Sequence, residues 1–178
     1  MEFLLPNSGN GRKRILQLQL LALLPVGIAA LVNTGYQYLA AIARNPELVN
    51  DDFCSQIARG LGANHERLGL YDMFAAGFAH LVPILLVALL VGGFWERIIT
   101  ERRQASIEPG FILVALLFTL LMPGAAGWGH VVFGMSFAML LGRGIFGGEG
   151  KSFLSPALLG VAIVQVSFPG AADQHPLW

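Results

Sequence analysis

Charged residues are scarce in this chain. Lys, Arg, Asp and Glu make up 12% of its 178 residues, whereas 55% are hydrophobic. Soluble domains carry about a quarter charged residues, so this composition argues against a water-soluble fold. The formal net charge is zero, which predicts no nucleic-acid partner. The single cysteine, Cys54, excludes a disulfide within the chain and a cysteine-rich metal site.

The chain contains long stretches without charged residues. Such stretches can cross a membrane, because ionised groups are costly in hydrocarbon. They predict an all-α, polytopic membrane helical bundle with about five transmembrane helices. The region 109–142 is too long for one helix, and Pro123, Gly124 and Gly127 are expected to turn the chain within it. The predicted spans, in a single membrane domain covering 1–178, are 15–43, 73–96, 109–123, 127–143 and 154–172. The first apolar run is too long for the core of a signal peptide, so we expect it to be retained.

Basic residues predict the orientation of these spans. Eight Lys and Arg residues fall on the side of the amino terminus, against three in the long polar segment 44–72. The bias predicts a multi-pass protein of a bacterial inner membrane with a cytoplasmic amino terminus. Segment 44–72 is then a loop on the outer face, long enough for a short amphipathic helix around 51–61.

Glu96 stands at the end of the second predicted span. A carboxylate there can gather a cation at the mouth of a path through the bundle. The simpler interpretation, favoured by the residues alone, is an interfacial anchor. In that case Trp95 lies in the aromatic belt and Glu96 pairs with Arg97 or Arg102.

Gly92 and Gly93 lie one helical turn before this carboxylate. Because they have no side chains, either another helix or a flat ring can approach the backbone. Close helix packing is the commoner reason for such a pair, and the residues alone favour it.

His80 and His130 fall inside the second and fourth predicted spans. Ionisable groups within a membrane are candidate proton carriers or ligands, and two histidines on different helices can in principle bind haem. No other ligand pattern supports haem, so we expect histidines that are hydrogen-bonded inside the bundle.

The segment 147–152 reads Gly-Gly-Glu-Gly-Lys-Ser and mimics the end of a nucleotide-binding P-loop. That motif requires a glycine where Ile145 stands, and a strand before it, so we do not predict nucleotide binding. A flexible loop leading to a helix start fits better, with Ser155 as the N-cap and Pro156 in the first turn. Free N–H groups at such a start can face an anion or a polar ring.

No nucleophile–base arrangement or pair of carboxylates is apparent in the sequence, so neither a catalytic residue nor a metal site is predicted. The residues alone leave the function open between transport, electron transfer and assembly.

Four stretches of the chain carry a family resemblance. They are Leu-Leu-Pro at 23–25 with Asn-Thr-Gly-Tyr-Gln at 33–37, Val-Gly-Gly-Phe-Trp-Glu at 91–96, Glu-Pro-Gly-Phe at 108–111, and the segment 146–158. In order and spacing they resemble the B-type subunit of the sodium-translocating NADH:quinone reductase, which is related to the D-type subunit of the Rnf electron-transport complex.

The resemblance implies a membrane subunit of a redox-driven pump. Members of the family are longer than this chain and share a two-repeat architecture with urea-transporter-like channels, so this chain corresponds to the first repeat. By the same resemblance, Gly92 and Gly93 line the site of the quinone substrate, and Glu96 lies on the ion pathway.

The resemblance also implies riboflavin or FMN, bound non-covalently beside the loop that contains Ser152, Ser155 and Pro156. The loop of the family reads Asn-x-x-Asn-Pro-Ala, and serines replace both asparagines here. A serine hydroxyl is shorter than an amide and lacks its paired donor and acceptor, which weakens this expectation. The threonine that carries covalent FMN in the family has no counterpart at 169–172, Pro-Gly-Ala-Ala. We therefore expect no covalent FMN on this chain.

The leading hypothesis is a subunit of an NADH:quinone reductase-type translocase that is not catalytic alone, with other membrane subunits or a homodimer as partners. One alternative is a structural or assembly subunit that has lost redox chemistry, which flavin content would distinguish. Another is a truncated fragment of a full-length B-type subunit, which the genomic sequence downstream of Trp178 would test. A third is a small-solute or cation channel whose conductance depends on Glu96.

Overall fold

The computed structural model describes residues 9–44, 53–62, 69–103, 109–124, 126–145 and 154–169, and these ranges are helical apart from short turns. The predicted all-α class is therefore confirmed for this part of the chain. The elements are α1 (Gly9–Arg44), α2 (Phe53–Gly60), α3 (Leu70–Arg103), α4 (Gly110–Leu121), α5 (Trp128–Phe137), a π-helix (Ala138–Ile145) and α6 (Pro156–Ser167). The short helix expected around 51–61 is α2.

Two of the described helices are long and apolar enough to cross a membrane, judged by length and composition. They are Arg14–Arg44, with 31 residues, and Leu70–Arg102, with 33, whereas a membrane-spanning helix needs about 20. Helices α4 and α6 have 12 residues each. At 1.5 Å per residue they reach about 18 Å, less than the roughly 30 Å of a hydrocarbon core.

Helix α3 continues beyond Glu96, where the predicted second span ends. Its last residues are charged but contain no helix breaker, and Arg97 Nε donates to Glu101 Oε1 at 3.0 Å across one turn. Such pairs support a helix. Charge therefore marks the end of the apolar stretch without ending the helix, which runs to Arg103.

The main hydrophobic core is formed by residues of α3, α4, α5, the π-helix and α6. The ring of Phe118 on α4 is fully buried near its centre. A Cβ atom on Gly134 would lie 2.9 Å from that ring, and one on Gly160 would lie 3.1 Å from it. The two glycines therefore let α5 and α6 close around a single aromatic side chain.

Helices α1 and α3 touch through their backbones at two glycines. A Cβ atom on Gly35 would overlap the carbonyl group of Met73, and one on Gly77 would overlap the carbonyl group of Leu31. Small residues permit such close approach between helices. This contact fixes the carboxyl-terminal half of α1 against the beginning of α3.

Substitution of Gly35 tests this contact, with Gly27 of the same helix as the control. Gly35→Ala should lower the stability by about 3 kcal/mol, the upper end of the overpacking range, because the added methyl meets backbone atoms that cannot move aside. Gly27→Ala has nothing within 4 Å of the new Cβ and should be neutral or stabilising by about 0.5–1 kcal/mol. Thermal unfolding in detergent, followed by circular dichroism, measures both. Equal melting temperatures for the two variants would contradict the close contact.

Candidate functional site

The last third of α3 packs against the beginning of α4 and against the π-helix, and the π-helix in turn packs against the start of α6. Most of the residues that the sequence singled out lie along these contacts. We refer to Gly92, Gly93, Glu96, Arg143 and Pro156 as the α3-end site. Ser152 lies outside the described residues, as does the glycine-rich loop before it.

The two glycines of this site have different surroundings. A Cβ atom on buried Gly92 would lie 2.6 Å from Cε of Met135 on α5, so this glycine serves helix packing. A Cβ atom on half-buried Gly93 would make only an ordinary contact, 3.5 Å from the ring of Phe111. Gly93 is therefore the position of the pair that has room for another group.

Glu96 is buried and paired with Arg143 of the π-helix. Arg143 Nη2 donates to Glu96 Oε1 at 3.2 Å, and each side chain is only 5% exposed. The predicted interfacial pairing with Arg97 or Arg102 is wrong. Neighbours on a helix do not face each other, and Arg97 pairs with Glu101 on an exposed face, while Glu96 faces the packed interior.

This ion pair joins residues that are 47 positions apart in the sequence. Removing two charges from water is costly, and the cost is offset only when each charge has a good partner. Losing one partner of such a pair typically costs about 3–5 kcal/mol. The pair therefore binds the end of α3 to the π-helix, and neither charge is easily dispensed with.

The π-helix determines where Arg143 points. Ala138 and Arg143, at its beginning and near its end, are both buried. In an α-helix, residues five apart differ by about 140° in direction, whereas the i→i+5 turn of a π-helix stacks them on one side. The sequence predicted an ordinary span over 127–143 and counted Arg143 only for orientation. One feature of the sequence indicated that Arg143 could be a partner of Glu96: it ends an uncharged run on the same predicted side of the membrane as Glu96.

Helix α6 begins at Pro156 with Ser155 at the N-cap position, as the sequence predicted. The Ser155 carbonyl oxygen accepts the N–H of Leu159 at 3.1 Å, but the exposed hydroxyl makes no capping hydrogen bond. Pro156 packs on Gly142, where an added Cβ would lie 2.8 Å from the proline Cα. The start of α6 is thereby fixed one residue away from Arg143.

His80 is buried and hydrogen-bonded inside the bundle. Its Nδ1 lies 2.9 Å from the Ala76 carbonyl oxygen, and because a carbonyl only accepts, Nδ1 is the donor. The ring packs on Tyr38 of α1 with centroids 4.3 Å apart. The ring of His130 packs on Phe168 at 4.7 Å, but its buried Nδ1 has no hydrogen-bond partner among the described residues, so the predicted hydrogen bond is not formed at that atom. Among the described residues, no three His, Cys, Asp or Glu side chains are grouped to hold a metal ion.

Comparison with known proteins gives a consistent result. The sequence profile of the NQR2, RnfD, RnfE family matches residues 6–178. The Na(+)-translocating NADH-quinone reductase of Azotobacter vinelandii has a B-type subunit that is 35% identical over 172 residues, and the corresponding subunit of Ectopseudomonas mendocina is 33% identical. Both alignments cover 96% of this chain and 43% of the relative. The chain thus spans less than half the length of the curated relatives that it matches.

The contact between the π-helix and α6 is tested by two glycines of the π-helix. Gly142→Ala should destabilise the protein by about 1–3 kcal/mol, because its methyl meets the backbone of Pro156. Gly144→Ala should have little effect, since its nearest neighbours, Met139 O and Ile99 Cδ1, would lie at 3.6 and 3.9 Å. Melting temperatures in detergent compare the two. A greater loss in the Gly144 variant would argue against this arrangement of the π-helix.

Proposed function

Because the chain belongs to the NQR2, RnfD, RnfE family, we propose that it is a membrane subunit of a redox-driven, ion-translocating electron-transport complex. Its relatives are named as B-type subunits of Na(+)-translocating NADH-quinone reductases. The observation that carries the proposal is the family match over residues 6–178, which includes the whole α3-end site. The chain acts as one subunit of a translocase and is not catalytic alone.

The proposed architecture is a bundle of about five membrane spans that forms one repeat of a urea-transporter-like fold. The lengths of α1 and α3 support the two complete crossings. The shorter α4 and α5 pack against α3, and α6 packs against α4 and α5 to complete the bundle. The distribution of basic residues supports a cytoplasmic amino terminus in the inner membrane of a bacterium.

The α3-end site is the proposed place of function. Quinone lies against Gly92 and Gly93, and the room next to Gly93 favours contact at that residue. Glu96 belongs to the ion pathway, because an ionisable group buried in a membrane bundle typically marks one. The proposed site of non-covalent riboflavin or FMN is beside Ser152, Ser155 and Pro156.

Other membrane subunits, or a second copy of the chain, complete the complex. The amino-terminal half of α1 supports this, because Leu18, Leu21 and Leu24 are 60–66% exposed on this chain. In a membrane such side chains face either lipid or a neighbouring helix.

A structural or assembly subunit is the second candidate, and one observation favours it. Glu96 already has a counter-charge 3.2 Å away, as expected of a pair that holds two helices together. In that case the α3-end site keeps its geometry but carries neither ions nor electrons.

Glu96→Gln in the assembled complex separates these two candidates. If Glu96 is on the ion pathway, sodium-dependent quinone reduction should fall at least about tenfold, which corresponds to about 1.4 kcal/mol in the barrier. Glu101→Gln, which removes an exposed carboxylate from the same helix, is the matched control and should keep full activity. The measurement is the initial rate against sodium concentration, after the subunit content of both complexes has been equalised. Normal rates in an intact Glu96→Gln complex would identify a structural role.

Gly93→Val tests the quinone assignment. A branched side chain in the room next to Phe111 should raise the KM for quinone about tenfold by removing about 1.4 kcal/mol of binding, with little change in kcat. Gly129→Val on α5, where a Cβ meets nothing within 4 Å, controls for valine in a helix. Steady-state kinetics over a quinone series provides both values. An unchanged KM would place the quinone elsewhere.

A further inference from the structure

We propose that Arg143 is a built-in competitor for the cation at Glu96. Its guanidinium occupies the position that a small monovalent cation takes when the ion pathway is open. The inference rests on the proposed role of Glu96 in that pathway. It assigns a function to Arg143, which does not itself bind the transported ion.

The first argument is the cost of charge at this position. Both side chains are 5% exposed, and Arg143 Nη2 lies 3.2 Å from Glu96 Oε1. A carboxylate buried to this degree is costly without a positive partner. A cation that exchanges with the guanidinium keeps one positive charge beside the carboxylate, so the exchange avoids this cost.

The second argument is that the helix that carries Arg143 has an alternative geometry. Arg143 faces the interior together with Ala138 because the segment Ala138–Ile145 is a π-helix. If these residues returned to α-helical turns, the two side chains would differ by about 140° in direction. Such a change would move the guanidinium away from Glu96 without unfolding the segment. Irregular turns of this kind are often found at functional sites.

The third argument concerns how the site is held. Gly142 packs closely on Pro156, whereas a Cβ atom added to Gly144, on the other side of Arg143, would be at ordinary van der Waals distance from its neighbours. The π-helix is thus fixed to α6 immediately before Arg143 and is less closely packed immediately after it. A change confined to the carboxyl-terminal turn of the π-helix would leave the contact between Gly142 and Pro156 in place.

Thermal unfolding of the purified full chain tests the competition directly, because it requires no activity. The wild type should melt at the same temperature in sodium, lithium, potassium and choline chloride at equal ionic strength. Arg143→Gln should melt about 6 °C lower or more in choline. At least one small cation should restore about half of that loss or more, by taking the vacated place beside Glu96.

Two control variants accompany this measurement. The double variant Glu96→Gln/Arg143→Gln has no charge to neutralise, so its melting temperature should be the same in every salt. Arg143→Lys keeps a tethered positive charge that is held less firmly, so sodium should raise its melting temperature by less than it raises that of Arg143→Gln. Equal melting of Arg143→Gln in choline and in all three alkali cations would overturn the proposal.

A second measurement covers the case in which Arg143→Gln cannot be purified. Lysine keeps the charge but is a single-point donor instead of a planar fork, so it should hold the carboxylate less firmly. Modification of Glu96 by a carbodiimide, mapped by mass spectrometry, should be lost on adding sodium to Arg143→Lys. If sodium does not change the labelling of Glu96 in Arg143→Lys, the proposed competition is contradicted.

Failure of this inference is distinguishable from failure of the proposed function. Normal sodium-dependent activity of the Glu96→Gln complex would exclude Glu96 from the ion pathway, whatever the melting data show. If the melting temperature of Arg143→Gln is the same in every salt while the activity of the complex still requires Glu96, only the competition by Arg143 is excluded.

Discussion

Backbone contact between helices, which only glycine permits at these points, is the constraint on which the rest of the structure depends. Gly35 and Gly77 bring α1 against α3, and Gly142 brings the π-helix against Pro156. Between helices in lipid there is little hydrophobic driving force, so association relies on close packing. A methyl group at these points would separate the helices. These glycine contacts involve no charged side chain, and they position the helices that carry the α3-end site.

The buried ion pair is a consequence of this packing. Glu96 and Arg143 meet because α3 continues past its apolar stretch and because the π-helix turns Arg143 inward. Neither feature would produce the pair alone. An α-helical segment at 138–145 would direct the arginine elsewhere, and a looser bundle would admit water and weaken the attraction between the two charges.

Much of the helical organisation was predictable, because the physics that locates helices is local. Uncharged stretches located α1 and α3, and the Ser-Pro pair located the start of α6 at Pro156. The partner of Glu96 was not predictable, because Arg97 and Arg102 were nearer in sequence and the π-helix leaves no mark in the pattern of apolar residues. The end of α3 was also missed, since charged residues close a membrane span but permit a helix to continue, as Arg97 and Glu101 do.

A carboxylate that already has a counter-charge is compatible with an ion pathway. Between the passage of two ions, an empty site would leave a bare negative charge in a region from which water is largely excluded, and that state is costly. A tethered guanidinium removes this cost without adding a net charge. The same property that makes the pair of Glu96 and Arg143 resemble a structural bridge would therefore let the site exist in its unoccupied state. A purely structural pair and a gating pair differ in whether the arginine has a second position, and a return of the π-helix to α-helical turns would provide one.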